Sequence, residues 1–158
     1  MRNIKFRGKD KKGKWYFGDL SRNEDSFFIT STGLSLSKQV DPQTIGQLTD
    51  LQDINGLNIY EGDIIWNPKS PKEIYEVAMI DGAFRVLEDG FKGEDLYWTL
   101  NHGDFKVIGN IHDDQLFKTE EEYESAKQKL IDDFDHGVFK RQIEIASILK
   151  QSKWINKT

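Results

Sequence analysis

The rhythm of turn chemistry constrains this chain more than any other feature. From the N-terminus to about residue 111, short apolar runs are broken at brief intervals by Gly, Asp, Asn or Pro. Runs of that length leave little room for helices, and several show the period-two alternation of a half-buried strand. Arg2-Asn3-Ile4-Lys5-Phe6-Arg7 alternates, and Asp10-Lys11-Lys12-Gly13 supplies a turn before Trp15-Tyr16-Phe17, which predicts a hairpin. Phe27-Phe28-Ile29 and the Leu34/Leu36 pair predict two more short strands, after which Asp41-Pro42 forces an extended break ahead of Thr44-Ile45-Gly46-Gln47-Leu48.

The next stretch is the most regular. Asn55-Gly56 turns the chain into Leu57-Asn58-Ile59-Tyr60, and Glu61-Gly62-Asp63 leads into Ile64-Ile65-Trp66. Asp81-Gly82, between Ile74–Ile80 and Ala83–Leu87, is the strongest two-residue hairpin signal in the chain. Leu96-Tyr97-Trp98-Thr99-Leu100 and Phe105-Lys106-Val107-Ile108 read as the last two strands, with Asn101-His102-Gly103-Asp104 turning between them. Many short strands separated by turns predict a barrel or sandwich.

At residue 119 the period changes. Thr119-Glu120-Glu121-Glu122 is a capping box, and Tyr123, Ala126, Leu130 and Phe134 then recur at helical spacing. Asp135-His136-Gly137 ends that helix, and Phe139, Ile143, Ala146 and Leu149 mark a second one. The expected fold class is therefore mainly β, a small barrel with an N-terminal β-hairpin region and a C-terminal αα-hairpin. The expected segments are 1–44, 45–118 and 119–158.

Composition narrows the chemistry. With 158 residues the chain buries about 68–70% of its unfolded surface, enough for a core. It has no cysteine, which excludes disulfides, thiolate zinc sites, iron–sulfur clusters and thiol nucleophiles. No apolar run approaches the ~20 residues of a membrane span, and Met1-Arg2-Asn3 lacks the apolar core of a secretory signal, so a soluble, cytoplasmic protein without membrane contact is expected. Charge is uneven: residues 1–40 carry 9 Lys+Arg and 4 Asp+Glu, residues 41–118 carry 6 and 15, and residues 119–158 carry 7 and 8.

Three blocks resemble the YopX family of bacteriophage and prophage proteins. These are Ile4-Lys5-Phe6-Arg7 with Trp15, then Asp41 to Thr49 continuing through Asn55-Gly56 to Ile59-Tyr60-Glu61-Gly62-Asp63-Ile64-Ile65, and finally Val107-Ile108-Gly109-Asn110-Ile111-His112. The likeness covers about residues 1–118. It implies a phage-encoded, mostly β protein whose later part is a small SH3-like barrel, with no established activity and no agreed catalytic residues. Two positions depart from the family pattern: Asp50 stands where glycine is usual, and Ile54 where lysine is common.

No phosphate loop, dinucleotide fingerprint or serine elbow is present, and no cofactor is expected. Glu61, Gly62 and Asp63, with Gly109 and Asn110, read as structural turns at barrel corners rather than as chemistry. Three function classes stay open. The first is a non-enzymatic protein-interaction and self-assembling module with a phage or host protein as partner. It rests on the 12% aromatic content and on a tail whose Phe139, Ile143, Leu149 and Trp154 are candidate self-association residues. The second is nucleic-acid binding, with Lys5, Arg7, Lys11, Lys12, Lys14 and Tyr16 as candidate contacts because cations beside aromatics suit backbone neutralisation plus base stacking. The third is a metal-dependent enzyme using His112, Asp113 and Asp114 with Glu61 and Asp63.

Two short amphipathic helices need a surface to dock on, which predicts a homo-oligomer held by the tail. Light scattering should give a multiple of the chain mass for the full-length protein and the single-chain mass for a 1–118 truncation. A folded truncation with the same assembly mass overturns this.

Overall fold

A computed structural model describes residues 2–33, 35–70, 73–88 and 91–113, together with Glu121, Glu122, Glu124, Ser125 and Gln128. The chain divides into two units, residues 1–52 with 58–61, and residues 53–57 with 62 onward. Both described units are built on antiparallel sheet, so the mainly β expectation holds.

The first unit contains β1 (Phe6–Lys9), β2 (Trp15–Asn23), β3 (Ser26–Thr30), β4 (Ser37–Val40), β5 (Gly46–Gln52) and β6 (Asn58–Tyr60), in the sheet order β4-β3-β2-β1-β5-β6. The hairpin expected around Asp10–Gly13 is present, with Phe6 opposite Gly18 and Lys9 opposite Trp15. Ile29, Val40, Leu48, Ile59 and Tyr60 are its buried apolar side chains. The strand expected at Leu34/Leu36 lies further on: β4 begins at Ser37, and Leu36 is exposed. Although β4 ends the strand order, the sheet curls. Val40 closes over Gly8 of β1, and the Asp41 amide donates to the Lys9 carbonyl at 2.7 Å. A 3₁₀ turn at Pro42–Thr44 follows, capped by the Asp41 side chain on the Gln43 amide.

The second unit contains β7 (Asp63–Trp66), β8 (Ile74–Ile80), β9 (Ala83–Glu88), β10 (Phe91–Asp95), α1 (Leu96–Asn101) and β11 (Lys106–Asn110), with sheet order β10-β9-β8-β7-β11. Asp81 and Gly82 both have positive φ, 52° and 78°, as the tight turn joining β8 to β9 requires. Ile65, Trp66, Ile74, Val77, Val86, Leu96, Phe105 and Ile108 form the core. Among the described residues no ladder joins β10 to β11, so the sheet is open where a closed barrel was expected.

One element is corrected in kind. Leu96–Leu100, read as a strand from its aromatic and β-branched content, is the start of α1. Asp95 is extended (φ −60°, ψ 137°) and its carboxylate accepts the Trp98 amide, which makes it an N-cap. Leu96 and Thr99, three residues apart, are the buried pair, so burial follows the helical period. The helical tail's candidates Phe139, Ile143, Leu149 and Trp154 lie outside the described residues.

Backbone sign explains one departure from the family pattern. Asp50 has φ 64°, at a shift of register between β5 and β6, and aspartate is one of the few residues besides glycine that tolerates this region. Gly62 has φ 86°, and a Cβ there would lie 3.0 Å from the Asn110 side-chain Nδ2. Asp50→Gly is therefore expected to stay within ~1 kcal/mol of the parent, whereas Asp50→Val and Gly62→Val each lose ~1–3 kcal/mol. Thermal or urea melts decide it. Valine variants that melt with the parent overturn the assignment of strained turns.

Candidate functional site

The β1–β2 turn is shaped by one carboxylate. Asp10 Oδ1 accepts the amides of Lys12 at 2.9 Å and Lys14 at 3.0 Å, and the Tyr16 hydroxyl reaches Oδ2 at 3.3 Å. Backbone bonds from the Asp10 amide to the Lys14 carbonyl and from the Gly13 amide to the Asp10 carbonyl close the loop. With its acceptor atoms turned inward to these amides, the loop holds Lys11, Lys12 and Lys14 exposed. The Lys14 amide chiefly holds the Asp10 carboxyl below its ordinary 3.8, with the Lys12 amide and Tyr16 adding to the effect. Burial, then the Asp10 charge, pushes the Tyr16 hydroxyl above 10.0.

Because the sheet curls, this loop faces the end of β4. The cleft between them, about 890 Å³, is lined by Asp10, Lys11, Lys12, Lys14 and Tyr16 on one side and by Lys38, Gln39, Val40, Asp41 and Pro42 on the other. The structure thus brings together four of the six sequence candidates, Lys11, Lys12, Lys14 and Tyr16. It adds Lys38, which lies 24 positions after Lys14 in the chain and joins them only through the curl. No local pattern in the sequence pointed to Lys38.

The other two candidates are placed elsewhere. Lys5 has its ammonium on Asp19 at 2.7 Å. Arg7 is 8% exposed, its guanidinium 4.7 Å from the Trp15 ring centroid and 4.8 Å from that of Tyr60. Lys9 covers Trp15 at 4.9 Å, and Lys14 covers Tyr16 at 5.4 Å. Lys14 thus lies over the Tyr16 ring that lines the cleft.

In the second unit, Asp63 is 1% exposed, with the Asn110 side-chain amide donating to it at 3.4 Å. The Asn110 Oδ1 accepts the His112 amide at 2.9 Å, and the Ile111 amide donates to the Gly62 carbonyl at 2.9 Å. Gly109 lies within β11 beside a register shift, so the corner there is made by Asn110 and the residues after it. Glu61 belongs to the first unit, where its amide donates to the Gln47 carbonyl at 2.9 Å. Among the described residues no three His, Asp or Glu side chains converge as metal ligands, and no helix is long and apolar enough to cross a membrane.

The family model described as YopX protein matches residues 5–118. The chain belongs to the YopX family. A search of curated proteins finds no match. The match to the YopX family embraces the whole of the described cleft, the Asp63–Asn110 pair and the strained Asp50.

The Asp10 turn has a measurable pH signature. A carboxyl whose folded value is depressed adds stability above its unfolded value and loses that contribution as pH falls through the folded one. In an acid titration followed by NMR, the Lys12 and Lys14 amide signals of this YopX protein should move with a midpoint below 3.8, and Asp10→Asn should abolish that transition. A midpoint at or above 3.8 shows that the amides do not hold the carboxylate.

Proposed function

We propose that this YopX-family protein is a non-enzymatic interaction module whose basic cleft receives an acidic segment of a partner protein. The observation that carries this reading is the gathering of Lys11, Lys12, Lys14 and Lys38 around one cleft whose lining ring, Tyr16, already has Lys14 over it. Four ammonium groups are offered there beside the Tyr16 ring, which suits carboxylates better than a run of stacked nucleobases. The six Lys+Arg against 15 Asp+Glu of residues 41–118 point the same way, since a long polyanion would meet repulsion that a short acidic segment avoids.

The proposal extends to setting and architecture. The protein acts as a phage- or prophage-encoded accessory factor in the host cytoplasm, its partner is a phage or host protein, and copies associate through residues 119–158. The second unit is read as an SH3-like small barrel: four consecutive antiparallel strands, one short helix, and a fifth strand returning to the first, as β7 to β11 are arranged.

Calorimetric titration of the full chain with a blocked Asp/Glu dodecapeptide and with a mixed-sequence single-stranded oligonucleotide of equal charge tests the ligand class. The peptide should bind, weaken several-fold as salt rises from about 50 to 200 mM, and lose binding when Lys11, Lys12 and Lys14 are all changed to Glu. Tighter oligonucleotide binding overturns the reading in favour of nucleic acid, particularly with a log–log salt slope near −0.7 per phosphate and an alanine cost at Tyr16 of ~1–3 kcal/mol.

A further inference from the structure

The second unit holds a cleft of opposite character, about 410 Å³, within the range of specific ligand pockets. Its walls include the rings of Tyr75, Trp98 and Phe105 and the carboxylates of Glu73, Glu88 and Glu94. Tyr75 and Phe105 stand 5.7 Å apart at 36°, and Phe105 is only 4% exposed, so this wall is fixed by the core. Trp98 lies on α1 and is 50% exposed. One of its faces stacks on His102 at 4.0 Å and 17°, and the His102 Nδ1–H donates to the Trp98 carbonyl at 2.7 Å. The imidazole thus props the indole and leaves its exposure to the opposite face and edge.

The charges around these rings are negative. Glu73 is oriented by the Asn67 side-chain amide at 2.7 Å. Lys92 also borders the cleft, but its ammonium sits on Asp81 at 2.6 Å, in the turn before β9. Ring faces carry negative potential, and carboxylates beside them add to it, so a planar cation that both stacks and forks onto a carboxylate fits better than a compact, strongly hydrated ammonium. The backbone adds a second condition. Glu94 lies on β10, the last strand in its sheet among the described residues, and the strand's exposed pattern suits an edge on which an extended chain can add main-chain hydrogen bonds.

We propose that this cleft recognises an arginine side chain presented by an extended peptide of a protein partner. The site is separate from the basic cleft and selects the opposite charge, so either can fail while the other stands.

The test is an ¹H–¹⁵N titration of the full chain, with the Trp98 indole signal identified as the one missing from Trp98→Phe. Three probes are used: a blocked pentapeptide with a central arginine, the same peptide with glutamine, and spermidine. The arginine peptide should shift the Trp98 indole saturably while the glutamine peptide leaves it in place. Glu94→Gln, at an exposed position, and Glu73→Gln together should weaken binding about tenfold, with the other indole signals reporting an intact fold. The proposal is overturned by an unmoved Trp98 signal, by equal response to the glutamine peptide, by spermidine binding more tightly than the peptide, or by Glu→Gln variants that bind as the parent does.

Discussion

The carboxylate of Asp53 is the interaction on which the described architecture turns. It is 7% exposed, and it accepts the amides of Asn55 and Leu57 through Oδ1 and that of Val107 through Oδ2, each at 2.9 Å. One side chain thereby closes the 53–57 turn and ties it to β11. The adjacent Ile54 amide donates to the Phe105 carbonyl at 3.0 Å, which extends the same seam. A buried carboxylate is costly unless its lone pairs are filled, and here backbone donors fill them. Replacing it with an apolar residue would leave amides from two distant parts of the chain without their acceptor.

Arg7 performs a comparable task in the first unit by different means. Its guanidinium lies against Trp15 and Tyr60, while Phe17 meets Tyr60 edge-to-face at 5.6 Å. A cation on the buried side of a sheet is tolerated because aromatic faces replace part of its hydration, and the guanidinium is the less strongly hydrated of the two common cations. The same residue types that read as a nucleic-acid surface in one dimension, cations beside aromatics, are here partners of one another. That distinguishes the two clefts. In the first, Lys14 lies over the Tyr16 ring and the surplus charge is positive. In the second, rings face a surplus of carboxylates.

Much of the β architecture was legible because turn chemistry is local. Asp81-Gly82 marked its hairpin to the residue, and Glu61-Gly62-Asp63 marked the entry to β7 because both signals act within four residues. Leu96–Leu100 was misread for the converse reason: its side chains suit a strand, and its helical state is imposed by the Asp95 cap and by burial of Leu96 and Thr99. Lys38 and the Arg7–Tyr60 contact were illegible because each depends on non-local sheet geometry, the curl that returns β4 to β1 and the pairing of β1 with β5 beside β6. The family likeness located Asp50 as unusual, and only its φ showed why aspartate can stand there.

The chain's path has a consequence for inheritance. Residues 53–57 belong to the second unit while the segments on either side, up to residue 52 and from 58 to 61, belong to the first. A single crossover anywhere between residues 53 and 61 would therefore hand a recombinant gene fragments of both units and the whole of neither. Exchange of contiguous blocks at one junction therefore cannot deliver both units intact.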